Sequence, residues 1–190
     1  PVPGWTDEYE WTGYIPFDQL PYTFNPSEGY VVTANNPVVS SDYPYFLSVE
    51  WDYGYRAKRI VELIENAPGP IDSAYIQKMQ GDDLNPAAEI LIPYLNELVL
   101  ANADQEAARQ MLVEWDGQAT MDSVPAAIFE AFWKNLLAIT FQDDLPKEYW
   151  PDGGSRWVTV VSNLLNQPDS WWWDSKATSP VETRDQILME

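Results

Sequence analysis

The sequence predicts a mainly α-helical fold with a short irregular β element at its amino-terminal end. Three observations carry this expectation. Apolar residues recur at helical spacing through most of residues 55–190, capping residues stand just before several of those runs, and residues 1–54 are instead rich in Pro, Gly and aromatics. With 190 residues, 45% of them hydrophobic, the chain is long enough to bury a sizeable core. Two regions follow: an aromatic, Pro-rich segment over 1–54 and a helical domain over 55–190.

In the first region "WTGYIPF" (11–17) and "GYVVTA" (29–34) read as short strands. The turn-forming "NPSEG" between them suits one hairpin. The second strand runs into Asn35 and Asn36. Asparagine is poor in strands and good in turns, and its amide is one of the few neutral groups that can aim an N–H at a developing negative charge. On the residues alone the pair is either punctuation or chemistry.

From Trp51 onward the pattern turns helical. "RAKRIVELIENA" (56–67) places Ala57, Ile60, Leu63 and Ile64 on one face before "PGP" stops it. "DSAYIQKMQ" (72–80) has Asp72 as cap, and "NPAAEILIPYLNELVLA" (85–101) has Asn85 as cap, Pro86 at the first helical position and Pro93 as a kink. "DQEAARQMLVEW" (104–115) is next. Ser123 caps "VPAAIFEAFWKNLLAITF" (124–141), with Ile128, Phe132, Leu136 and Ile139 as its apolar stripe. "SRWVTVVSNLLNQ" (155–167) is helical despite its β-branched residues, and "SPVETRDQILME" (179–190) opens on a capping box of Ser179 and Glu182. Six or seven helices result.

Composition narrows the chemistry. Thirty acidic against 10 basic residues give a net charge of −20, which repels phosphate backbones and anionic lipid, so neither nucleic acid nor a membrane is expected as a partner. With no Cys and no His, serine–histidine and cysteine–histidine catalysis within this chain are excluded. The first residues lack a signal-like or anchor-like run, and the chain starts without Met and stops within a helical pattern, which reads as a piece of something longer.

The ordered motifs Trp-x-Gly-x-Ile-Pro-Phe, Leu-Pro, Asn-Pro-x-x-Gly-Tyr and Thr-Ala-Asn-Asn in residues 11–36 resemble the β-subunit of the penicillin acylase (penicillin amidase) family. "DYPYFLSVEWDYGYRAKRI" (42–60), "MQGDDLNPAAEILIPYL" (79–95) and "ETRDQI" (182–187) are similar to later segments of it. The resemblance implies a hydrolase of acyl amides with an α+β N-terminal-nucleophile (Ntn) sandwich, processed from a precursor into two chains. This chain would be mostly the helical region of the β-subunit. An amino-terminal serine attacks the amide and its own α-amine serves as base, which explains chemistry without His or Cys.

Carried over by position, Asn35 matches the asparagine that stabilises the oxyanion, and Arg56 matches an arginine that organises the active site. The nucleophile does not carry over: too few residues precede Asn35, and Pro1 heads the chain. The isolated chain is therefore expected to be inactive. Its partners would be the remaining α and β segments of the precursor and an acyl-amide small molecule. No cofactor is expected; the family's structural calcium finds "YFL" (45–47) where an Asp ligand would stand, so that ligand is not carried over. The parent would be exported, by resemblance.

Other motifs have plainer readings. "DSWWWDS" (169–175) could be a sugar-binding platform on a stand-alone helical binding module, but packing of indoles against neighbouring helices is preferred. "GDD" (81–83) and "QDD" (142–144) lack calcium-loop spacing and read as helix termini.

Overall fold

A computed structural model describes residues 2–190. The chain separates into two compact units, one ending at Val61 and one running from Glu62 to Glu190. Among the described residues there are seven α-helices: α1 (Tyr55–Glu65), α2 (Ser73–Gln80), α3 (Pro86–Glu97), α4 (Ala103–Val113), α5 (Val124–Phe141), α6 (Ser155–Leu165) and α7 (Arg184–Met189). The chain is mainly helical, as its patterning predicts.

In the first unit the expected hairpin does not form. Residues 11–16 and 30–33 take no regular secondary structure, and no strand is present among the described residues. Pro16, Pro21 and Pro26 remove backbone donors along this path, and a lone two-stranded ribbon is marginal in water without a face to pack on. Asn25 (φ 50°) and Gly29 (φ 79°) turn the chain between the two runs. The loops are tied instead by side chains: the Tyr43 hydroxyl donates to the Gln19 carbonyl at 2.9 Å, and the Tyr45 hydroxyl donates to the Gln19 side chain.

The second unit has a core. Helix α5 packs against α4 and α7, and α3 against α4 and α6. Ala88, Leu91, Phe129, Phe141, Val161, Leu165 and Trp173 are almost completely buried. Caps form where the sequence places them: Asp72 accepts from the Tyr75 N–H, Asn85 from those of Ala87 and Ala88, and Ser123 from that of Ala126. Asn102 does the same for α4, accepting from Asp104 and Gln105. A single antiparallel bridge joins Leu84 and Gln118, bringing the start of α3 beside the turn after α4.

Three expectations shift. Helix α3 stops at Glu97 rather than 101, because Asn102 needs extended backbone (φ −86°, ψ 128°) to cap α4. In α5 the buried face runs through Ala126, Phe129, Trp133, Leu136, Leu137, Thr140 and Phe141. Ile128, Phe132 and Ile139 lie beside it, half-buried. This helix is apolar nearly all round, so a stripe chosen by spacing alone can be one residue out of phase. At the end of the chain the capping box is Thr183 with Gln186, and α7 begins at Arg184. Glu182 is diverted, accepting from the Ser175 N–H at 3.0 Å and from the Thr178 hydroxyl.

Helix α5, with mean hydropathy 1.2 over 18 residues, is long and apolar enough to cross a membrane by length and composition. It carries Glu130 and Lys134, and its buried residues are those of the core.

Candidate functional site

Residues 31–33 have no regular secondary structure and lead into a bend at 34–36, in which Asn35 has a left-handed φ of 64°. Few residues besides glycine tolerate that region, and asparagine is foremost among them. Its neighbour holds the turn: Asn36 Oδ1 accepts from the Ala34 N–H at 3.0 Å, and Asn36 Nδ2 donates to the Pro37 carbonyl at 3.1 Å. The Asn35 carbonyl then accepts from the Asp52 N–H at 2.8 Å, which fastens the turn to the segment entering α1.

That segment is built around a second local turn. Asp52 Oδ1 accepts from the Gly54 N–H at 3.0 Å, and Gly54 adopts φ 89°, which a side chain would strain. Helix α1 starts at Tyr55, so Arg56 is its second residue. The Arg56 Nη2 donates to the Ala34 carbonyl at 3.0 Å and to Asn35 Oδ1 at 2.8 Å. Asp52 Oδ2 lies 3.6 Å from the same nitrogen.

The Asn35 side chain is thus polarised in one sense. Its oxygen is taken by a guanidinium, and its Nδ2 has no partner among the described residues. An amide whose oxygen accepts from a cation becomes a better donor at its nitrogen, because hydrogen bonds in series polarise one another. The two residues singled out from sequence are therefore in direct contact, and together they present one free N–H₂ held from behind. Asn36 takes the turn role that its residue type suggests, whereas Asp52 was not singled out from the sequence. The signals were present: Asp two residues before Gly marks an Asx turn, and Asp four residues before Arg marks a favourable pair.

A family profile described as penicillin amidase matches residues 1–190. The chain belongs to the penicillin amidase family. It is 32% identical over 207 residues to the penicillin acylase 2 proenzyme of Pseudomonas sp. (strain SE83), an alignment covering 99% of this chain and 26% of that protein. To the acyl-homoserine lactone acylase QuiP of Pseudomonas putida it is 30% identical, again over 99% of this chain and 26% of the relative. The penicillin G acylase of Escherichia coli is 31% identical over 125 residues, 62% of this chain and 14% of that protein. The chain spans about a quarter of the length of the first two of these relatives.

No group of three or more acidic residues converges among the described residues. The acidic pairs act locally: Asp82 accepts from the Gln118 amide, and Asp143 and Asp144 hold Lys176.

The tryptophan run is divided between core and surface. Trp173 is 0% exposed and its indole N–H donates to the Gln167 carbonyl at 2.9 Å; Trp172 packs on Phe141 with ring centroids 5.4 Å apart; Trp171 is 60% exposed and stacks on Trp172. Elsewhere Trp115, Trp133 and Trp150 each donate their indole N–H to a loop carbonyl, at Gln118, Gly153 and Leu145. Indoles here fill the core with their rings and fasten loops with their N–H groups. A groove of about 430 Å³ remains beside Trp157 and Trp172, with Asn163 and Gln167 on its rim.

Proposed function

We propose that this chain is part of an acyl-amide hydrolase of the N-terminal-nucleophile type, in which Asn35 stabilises the oxyanion and Arg56 holds Asn35 in place. The observation that carries the reading is the one-sided Asn35 amide, with Oδ1 bonded to Arg56 at 2.8 Å and Nδ2 left to donate. The left-handed φ of 64° at Asn35 supports it, since strained backbone persists where surrounding bonds enforce it and clusters at functional sites.

In this reading an amino-terminal serine outside residues 1–190 attacks the acyl carbonyl carbon. Its α-amine, with an ordinary pKa of about 8, takes the hydroxyl proton as the C–O bond forms. The carbonyl π pair moves onto oxygen, and Asn35 Nδ2 donates to that oxyanion. The intermediate collapses, the C–N bond breaks and the α-ammonium returns the proton to the departing amine. Water then hydrolyses the acyl-serine. The substrate is a linear acyl amide, of the kind named for the relatives: a penicillin or an acyl-homoserine lactone. Residues 1–190 alone carry the oxyanion donor without its nucleophile, so they do not turn over substrate. The remaining precursor segments are its partners, and the mature enzyme is exported.

The test is to express the complete reading frame containing this segment, weigh the mature product and assay it with a phenylacetyl amide and a long-chain N-acyl homoserine lactone. Two chains, the second starting at serine, with hydrolysis of either compound, are expected. A single unprocessed chain inert toward both would overturn the proposal.

A further inference from the structure

Arg56 occupies an unfavourable place for a cation. It lies in the first turn of α1, where the free N–H groups and aligned peptide dipoles give the helix end a partial positive charge. Its side chain is 59% exposed, and a guanidinium so placed has water as an alternative to Asn35. Something must bias it toward the turn. The Ala34 carbonyl and Asn35 Oδ1 are neutral acceptors and draw on both protons of one nitrogen.

A formal negative charge stands beside that nitrogen at Asp52. Its side chain is only 17% exposed, and its Oδ2 lies 3.6 Å from Arg56 Nη2, too far for a good hydrogen bond and near enough for a modest charge attraction. The carboxylate is itself fixed, since Oδ1 accepts from the Gly54 N–H at 3.0 Å. The backbone N–H of the same residue holds the Asn35 carbonyl at 2.8 Å. One residue therefore grips Asn35 twice, directly through its main chain and indirectly through Arg56.

We propose that Asp52 is a positioning residue for the acyl-transfer step: its carboxylate holds the Arg56 guanidinium against Asn35 Oδ1 and so keeps Asn35 Nδ2 aimed at the oxyanion. This rests on the reading of Asn35 as the oxyanion donor. The plainer role, a turn residue before a helix, uses Oδ1 and the main chain alone and does not need the charge.

Asp52→Asn separates the two roles, because asparagine retains an oxygen for the Gly54 N–H and the backbone N–H for Asn35 while losing the charge. In the complete processed enzyme, kcat for a chromogenic acyl amide should fall about 3–5-fold, near the upper end for a partly exposed pair, with KM and the melting temperature unchanged. Asp52→Glu should restore part of the rate. In an Arg56→Ala background Asp52→Asn should cost nothing further, since its effect passes through the guanidinium. Asn35→Ala is run alongside. If Asn35→Ala is crippled while Asp52→Asn matches the unaltered enzyme, or if Asp52→Asn costs the same with and without Arg56, the role of Asp52 is overturned and the oxyanion reading stands. If Asn35→Ala keeps its rate, the reading beneath fails.

Discussion

In residues 62–190 a set of large side chains turns inward, with Phe129, Phe141 and Trp173 almost wholly buried, although Trp171 stays 60% exposed. In residues 2–61 Trp11 is 88% exposed, Trp5, Tyr14 and Phe17 also stand in solvent, and Ala57 is the one buried residue. The helical unit takes its shape from apolar burial, the dominant favourable contribution to folding. The amino-terminal unit has polar fasteners instead: Tyr43 and Tyr45 on Gln19, Asn36 on the Ala34 N–H, Asp52 on the Asn35 carbonyl and Arg56 across the turn. The candidate site belongs to the second kind. Its preorganisation rests on hydrogen bonds that each contribute about 1 kcal/mol net, so it can be dismantled without unfolding the helices.

The largest expected effect on stability tests that contrast directly. Trp173→Ala removes a fully buried indole and the N–H that ties the Gln167 carbonyl, and should destabilise the helical unit by about 3–5 kcal/mol in urea unfolding. Trp11→Ala, at an exposed position, should lie within about 0.5 kcal/mol of the unaltered chain. Equal losses at the two sites would erase the distinction. Next in size is Asn85→Ala, which strips the bonds to the Ala87 and Ala88 N–H groups at the start of α3. A loss of about 1 kcal/mol is expected from the same unfolding curves.

The smallest effect concerns pH and the chain segment before α7. Lys176 is raised above 10.5, chiefly by its hydrogen bond to Asp144. That contribution is therefore complete below the ordinary lysine value and fades as pH climbs through the raised one. Glu182 is lowered below 4.5, first by the hydrogen bond from Thr178. Its contribution is present above the ordinary carboxylate value and is lost as pH falls through the lowered one. Both groups are solvent-accessible, so the melting temperature should decline gently at each extreme. Glu182→Gln should lessen the acid-side decline, to which Glu106, lowered first by its hydrogen bond from Arg109, also contributes, and leave the alkaline side unchanged.

Helices were legible where local chemistry and burial agree. Asp72, Asn85 and Ser123 sit as caps before periodic runs, and tertiary packing only ratifies them. The sequence misled where two local choices competed. Ser179 and Glu182 have capping-box spacing, yet Glu182 finds better donors at Ser175 and Thr178, a choice set by the fold of the preceding loop. The hairpin failed for a different reason, because alternation reports which residues suit a strand and not whether a partner edge is within reach. At the site, the residue types and the resemblance pointed to Asn35 and Arg56. The resemblance also implied that Arg56 organises hydrogen bonds around Asn35; what was not legible is the geometry of their 2.8 Å contact, which depends on the left-handed turn at Asn35 and on where α1 begins.

The central claim is that transition-state stabilisation resides in an amide held by polar fasteners, apart from what stabilises the helices. Its most direct test is single-turnover acylation by the complete processed enzyme carrying Asn35→Ala, measured beside its thermal unfolding. The account predicts a rate lower by roughly 10²–10³, the usual loss for one oxyanion-hole donor, with the helical melting transition unmoved. A near-normal acylation rate, or a loss of rate matched by collapse of the helical transition, would contradict it.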